Sequence, residues 1–344
     1  MPNPTVAAGY PKALLDFAVS RGADRQMLIE RSHICLDDLK DQDNRIPLAN
    51  YMALLKAGIE LCNEPALSLL FGEAVKLQDI SIVGLIGVAF DNVESVRRQV
   101  NRYAPLTLDA DDGGTVDTIE FVHENGDVWL KFTAAVYVDN PLLTESGFAR
   151  NVCGARELQQ SMPGFAHLQF PKAIRFTHAE PSYRAEYDRI FGVPLFFDSH
   201  MNALLVDEAF LNMKLPRTNP YLSEILSARA EELLKSLEMS KTMRGRVENL
   251  LIPILHTGEA SMDMIAVKLG LSRQTLFRKL KAEGVTFEKV LDELRHKLAL
   301  HYLNGKKVPV NQTAYLVGFS EPAAFSRAFK RWTGSSPRMA RLKD

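Results

Sequence analysis

A short helical pattern occurs twice, 48 residues apart, and few folds accommodate both copies. In the first copy Ser261 can cap a helix whose Met262, Ile265, Ala266 and Leu269 recur at helical spacing. Gly270 stops that helix, Leu271 follows, and Ser272 can cap a second helix, Arg273 to Glu283, which Gly284 ends. In the second copy Ala314 stands four residues before Gly318, as Ala266 does before Gly270, and Phe319-Ser320 follows as Leu271-Ser272 does. The small residue lets two helices cross closely and the glycine makes the turn. The next helix runs from about Glu321 to Trp332 and stops at Thr333-Gly334-Ser335-Ser336-Pro337. Two short helices joined by a tight glycine turn form a helix-turn-helix pattern.

The faces follow from the spacing. In the first unit Leu276, Phe277 and Leu280 can face inward, with Arg273, Gln274, Arg278, Lys279 and Lys281 outward. In the second, Phe325 and Phe329 face inward and Arg327, Lys330 and Arg331 lie opposite. Between the units, Phe287, Val290, Leu291, Leu294, Leu298 and Tyr302 give Thr286 to Leu303 the period of one long linker helix. Such a helix spans about 27 Å at 1.5 Å per residue. Successive major grooves on one DNA face are ~34 Å apart, and side chains and helix widths supply the remainder. One monomer could therefore read a bipartite site.

Charge divides the chain in the same place. Residues 244–344 carry 18 Lys and Arg against 9 Asp and Glu, a net +9, while residues 1–243 carry 23 against 33, a net −10. An acidic body joined to a basic C-terminal segment points to a polyanion partner. A basic surface alone gives only salt-dependent, sequence-indifferent binding.

Other chemistries lack their residues. There is no Walker A, GxGxxG, GxSxG or HExxH pattern, so no catalytic, cofactor or metal residue is assigned and the chain does not read as an enzyme. His296 and His301 are five apart and do not share a helix face. Asp109, Asp111 and Asp112 precede Gly113-Gly114 without the spacing of a calcium loop and read as a solvated turn. The longest apolar stretch, Ile80 to Phe90, falls short of a membrane helix, and no membrane partner is expected. The N-terminus has no signal-peptide pattern, and Cys35, Cys62 and Cys153 lie too far apart for a disulfide framework, so a cytoplasmic setting is expected.

The acidic part begins with helical periods: Tyr10–Arg21, Asp24–Arg31, Leu48–Leu61, Ala66–Ala74 and Val93–Ala104, with Ile80–Phe90 a buried segment. The period then changes to two. Thr115–His123 and Val128–Val138 alternate around Glu124-Asn-Gly-Asp, which reads as a β-hairpin. Thr144–Met162 and Tyr183–Phe191 read as helices, and Ala173–His178, Leu195–Phe197 and Ala203–Val206 as short strands. Helix resumes over Pro220–Ser240. The expected fold is an α+β N-terminal domain, helices plus a small mainly antiparallel sheet, followed by an all-α C-terminal domain. Trp129, Phe132, Tyr137, Arg150 and Arg175 have the chemistry to line a carboxylate pocket, but core aromatics and surface arginines explain them better, so none is assigned.

The stretch Ala314-Tyr-Leu-Val-Gly-Phe-Ser-Glu-Pro-Ala-Ala-Phe-Ser-Arg-Ala-Phe-Lys-Arg-Trp-Thr-Gly-Ser-Ser-Pro-Arg resembles, almost continuously, the signature of the AraC/XylS family of bacterial transcription regulators. The resemblance implies base contacts four and eight residues after the first turn glycine, at Gln274 and Arg278, which suit adenine and guanine. In the second unit it implies Pro322, Ala323 and Arg327. Pro322 departs from the polar residues usual there and, with Ala323, can at most touch a thymine methyl, so Arg327 is the main reader of that unit. Ser272, Arg273, Lys279, Lys281, Ser320, Lys330, Arg331 and Arg338 are candidates for phosphate contacts, which position without specifying sequence.

Residues 10–225 resemble the N-terminal arabinose-binding-like domain of one subgroup, which includes ornithine-utilisation regulators. The matching residues are Ile46-Pro-Leu, Tyr51, Glu64 to Glu73, Ile190 to Phe197 and Asn202 to Val206. The domain name implies no sugar. The expected organisation is a sensing or oligomerising domain over 1–225, a helical linker over 226–243 and a DNA-binding domain over 244–344. The expected function is a sequence-specific activator on double-stranded promoter DNA, working with RNA polymerase and modulated by a small molecule or by homodimerisation. A ligand-independent dimeric regulator and a nonspecific nucleic-acid binder are the rival readings.

Overall fold

Six helix starts among the described residues are set by side chains that accept the first free amides. Asp24 accepts from Met27 N at 2.8 Å and Asn92 from Ser95 N at 2.8 Å. Thr242, Ser261, Ser272 and Thr286 do the same for four helices of the C-terminal part. The computed structural model describes residues 4–87, 89–90, 92–109, 118–134, 140–160, 162, 169–211, 214–215, 220–305 and 307–341. The chain falls into two units, Met1–Leu234 and Lys235–Asp344.

In the first unit the helices Gly9–Ser20, Arg25–Ser32, Leu48–Leu61 and Leu67–Ala74 bury Leu14, Leu15, Leu28, Leu54, Leu55 and Phe71 in one core. The stretch read as one buried segment, Ile80–Phe90, begins at the end of a short helix, Leu77–Ile80, and contains a second, Ile82–Gly87, and helix Val93–Thr107 follows. A three-stranded sheet, absent from the sequence reading, pairs Thr5–Ala7 with Arg45–Pro47 on one side and Leu108–Asp109 on the other.

The second sheet has five strands. The hairpin Ile119–Glu124 and Asp127–Phe132 continues through Asn202–Val206 and Ala173–Arg175 to Leu195–Phe196, and only the last pair is parallel. The pleat divides its apolar residues. Val128, Phe132, Leu204 and Val206 enter one core with Phe148 and Phe176, while Trp129 and Ala203 enter another. Helix Pro141–Gln160 packs behind it, starting three residues before the expected Thr144. Positions 115–117 and 135–138 of the expected strands, with Asp111, Asp112 and Tyr137, lie outside the described residues.

The second unit is helical throughout its described residues. Helices Met243–Leu251, Met262–Lys268 and Arg273–Ala282 share a core with Phe287, Val290 and Leu294, from the first half of helix Phe287–Leu300. Ala299 and Leu303 from its far end join Ala314, Val317, Phe325 and Phe329 in a second core. The linker is thus shorter as an α-helix than expected. It passes at His301 into a π-helical turn, His301–Gly305.

Candidate nucleic-acid interface

The two turns are alike bond for bond. Leu271 N donates to Ala266 O at 2.9 Å and Gly270 N to Val267 O at 3.0 Å. Forty-eight residues on, Phe319 N donates to Ala314 O at 2.9 Å and Gly318 N to Tyr315 O at 3.0 Å. Both glycines are left-handed, φ +66° and +79°, which lets these bonds close the helix end. Ala266 and Ala314 are buried at the crossing, as the small side chain requires.

The helices that follow differ at their first residue. Ser272 accepts from Thr275 N at 3.2 Å and caps Arg273–Ala282. The second helix, Pro322–Thr333, starts one residue later than expected, with no side-chain cap at Glu321. Proline is tolerated at its first position because that amide has no helical acceptor.

Every predicted contact residue is exposed except Pro322, which is half-buried. Hydrogen bonds and ion pairs sort them. Arg273 pairs with Asp263 at 2.6 Å and Arg331 with Asp292 at 2.6 Å. Ser272 is committed to its cap. The side chains of Gln274, Arg278, Lys279 and Lys281 on the first helix, and of Arg327 and Lys330 on the second, make no hydrogen bond or ion pair among the described residues. Arg338 lies beyond the second helix, in Pro337–Arg341, also unpaired there, and Ser320 and Ala323 flank the helix start. These free groups are the ones able to meet phosphate and base edges without first breaking an internal pair.

One inward expectation is corrected. Leu276 and Leu280 are buried, but Phe277 is 48% exposed. It lies four residues after Arg273, three after Gln274 and four before Lys281, all exposed, so helical spacing sets it beside them. That spacing was readable from the sequence; the apolar side chain argued the other way. Arg295 was not singled out at all. It reaches from the linker helix to donate to Val317 O at 3.1 Å and Gly318 O at 3.2 Å, and lies over the Phe319 ring at 4.8 Å. Burial lowers its pKa, with Asp292 opposing. It ties the second turn to the helix that carries both units.

Of the residues weighed as a pocket, Phe132 and Arg150 line a cavity in the first unit. Trp129 and Arg175 do not. The Arg175 guanidinium lies 3.9 Å over the Trp129 ring and pairs with Glu124. No helix among the described residues is long and apolar enough to cross a membrane.

Comparison with known proteins bears on both parts. Residues 22–215 match the family described as the arabinose-binding domain of AraC transcription regulators, N-terminal, and residues 265–343 match a helix-turn-helix domain family. The chain is 27% identical over 336 residues to the ornithine utilization regulator of Pseudomonas aeruginosa, covering 96% of this chain and 95% of that one. It is 24% identical over 328 residues to the HTH-type transcriptional regulator VirS of Mycobacterium tuberculosis, covering 93% and 91%. The crystal structure of the transcriptional regulator CdpR from Pseudomonas aeruginosa matches at 21% identity and a TM-score of 0.36, over 84% of this chain and 90% of that one. The duplicated turn, the exposed cations beyond it and the family match over more than half of the chain lead to one statement: this protein is a DNA-binding transcriptional regulator of the AraC family.

Proposed function

We infer that the chain is a cytoplasmic, non-enzymatic activator that reads a bipartite site in promoter DNA and works with RNA polymerase. The observation that carries this is the pair of matching turns, each followed by a helix with unpaired cations on its outer face. Gln274, Arg278 and Arg327 read bases, with Phe277 and Ala323 in contact with thymine methyls. Lys279, Lys281, Lys330 and Arg338 hold phosphates. Arg273 and Arg331 reach phosphate only by exchanging Asp263 and Asp292 for it. Ser272 and Ser320 sit at the two helix starts, where an amide and a hydroxyl suit a phosphate oxygen.

Residues 1–225 modulate binding, by a small molecule or by pairing with a second copy, through the helical segment 226–243 to the DNA-binding residues 244–344. An effector does this only by binding the DNA-competent state better than the other.

Selection of bound sequences from random duplex DNA with the full chain tests the reading. A single motif with two half-sites about one helical turn apart is expected. Arg278→Ala should then cost ~1–3 kcal/mol, concentrated on one half-site, whereas Lys279→Ala should weaken all sequences alike and lower the salt slope by about 1. Equal loss on every sequence for Arg278→Ala would leave only nonspecific binding.

A further inference from the structure

The cavity in the first unit has a volume of about 770 Å³, within the range of small-molecule sites. Its walls are mainly apolar: Leu77, Val83, Phe90, Leu108, Phe132 and Phe148. Three arginines reach it, and their pairing differs. Arg98 is near Glu94 at 3.8 Å and Arg102 pairs with Glu231 at 2.7 Å. Arg150 has no carboxylate partner among the described residues. Its Nη2 donates to Ser146 Oγ at 3.1 Å, and its Nε is buried with no acceptor.

Arg150 is half-buried with its Nε closed off from solvent, and a guanidinium partly withdrawn from water without an anion loses hydration. Two aromatic faces offset part of that loss, since the guanidinium lies 5.3 Å from the ring centres of both Tyr10 and Phe71. They also fix it in place at the cavity wall. Asp109 also lines the cavity, but no carboxylate among the described residues pairs with Arg150, and what most of the wall would cover is hydrocarbon. We propose that this cavity binds a small monocarboxylate with an apolar body, its carboxylate paired with Arg150.

The proposal deepens the effector reading above and rests on it for its regulatory meaning. The route outward is short. Helix Val93–Thr107 supplies Gln99, Ala104 and Pro105 to the cavity wall, and its Arg102 and Tyr103 both reach Glu231 on helix Pro220–Lys241. That helix runs on into the DNA-binding unit. A ligand that shifts the first helix changes what holds the second.

The test uses the full chain and two carboxylates, octanoate and phenylacetate, each beside the alcohol that replaces its carboxylate, octan-1-ol and 2-phenylethanol. Calorimetric titration should show at least one carboxylate binding one to one, about tenfold or more tighter than its alcohol, the scale of a charge-assisted hydrogen bond. Arg150→Gln should erase that difference while leaving the alcohol's affinity alone, and Arg25→Gln, at an exposed arginine paired with Asp16 away from the cavity, should change neither. Ala104→Phe fills the cavity and should abolish binding of both, with the far-UV spectrum unchanged. Equal affinity for acid and alcohol, binding that survives Arg150→Gln or Ala104→Phe, or no binding by either carboxylate would overturn the proposal. DNA affinity is measured separately, with and without the bound carboxylate. Arg150-dependent binding that leaves DNA affinity unchanged keeps the site and removes the effector reading.

Discussion

Gly270 and Gly318 occupy the same place in two turns with matching hydrogen bonds, yet they are not equally replaceable. A Cβ on Gly270 would meet nothing within 4 Å, whereas on Gly318 it would lie 2.2 Å from the Leu255 carbonyl oxygen. Gly270→Ala should therefore cost roughly 1–2 kcal/mol, for the left-handed backbone alone. Gly318→Ala adds displaced packing and should cost about 3 kcal/mol or more, and thermal melts of the two variants compare them directly. Glu145 makes a different kind of prediction. Burial pushes its carboxyl up to about 7, against the pull of Tyr187 and Tyr183, whose hydroxyls donate to it at 2.6 and 2.9 Å. Between about pH 4.5 and 7 the folded chain holds a proton that the unfolded chain has released, so this contribution is present below 4.5 and lost as pH rises through 7. Glu145→Gln should flatten that dependence and be the more stable form at pH 8, by on the order of 3 kcal/mol. A chemical-denaturation series from pH 4 to 8 reads the slope. Neither contrast was legible in the sequence, because both depend on a neighbour far along the chain: Leu255 for one glycine, Tyr183 and Tyr187 for the acid.

At the scale of elements, what was legible is what is local. The hairpin followed from Asn125-Gly126 between alternating residues, and Asn125 does take a left-handed φ of +55°. The duplicated turns followed from small residue, glycine and cap at fixed offsets. The three-stranded sheet did not, because its strands are two or three residues long and pair across about 40 and 100 positions, too short to carry a period. Phe277 misled for a related reason: apolar character was weighed above its place on the helix. The linker helix shows what such local reading leaves out. Its two halves serve different cores, and Arg295 fastens the second turn to it. Arg295→Met keeps a side chain over Phe319 but removes both donors, and should cost ~2–3 kcal/mol. Hydrogen exchange should then show Val310–Leu316 and Pro322–Thr333 losing protection before Arg273–Ala282 does.

Across the whole molecule, two units with separate cores and opposite net charge answer different perturbations. Calorimetry of the full chain should resolve two transitions, and Gly318→Ala should move only the one belonging to Lys235–Asp344. Added salt should weaken DNA binding through the cations of that same unit. The π turn at His301–Gly305 bears on what such a molecule reads. A π turn holds one residue more than an α turn, so it acts as an inserted spacer between the two readers. Such a turn goes round once, as an α turn does, so deleting the exposed Asn304 to restore α geometry should leave the angular relation of the two helix-turn-helix units nearly unchanged. The turn thus absorbs a change of chain length between the two units, and a one-residue deletion in the uninterrupted helix Phe287–Leu300, which has no such slack, is the change that would swing one unit about 100° against the other.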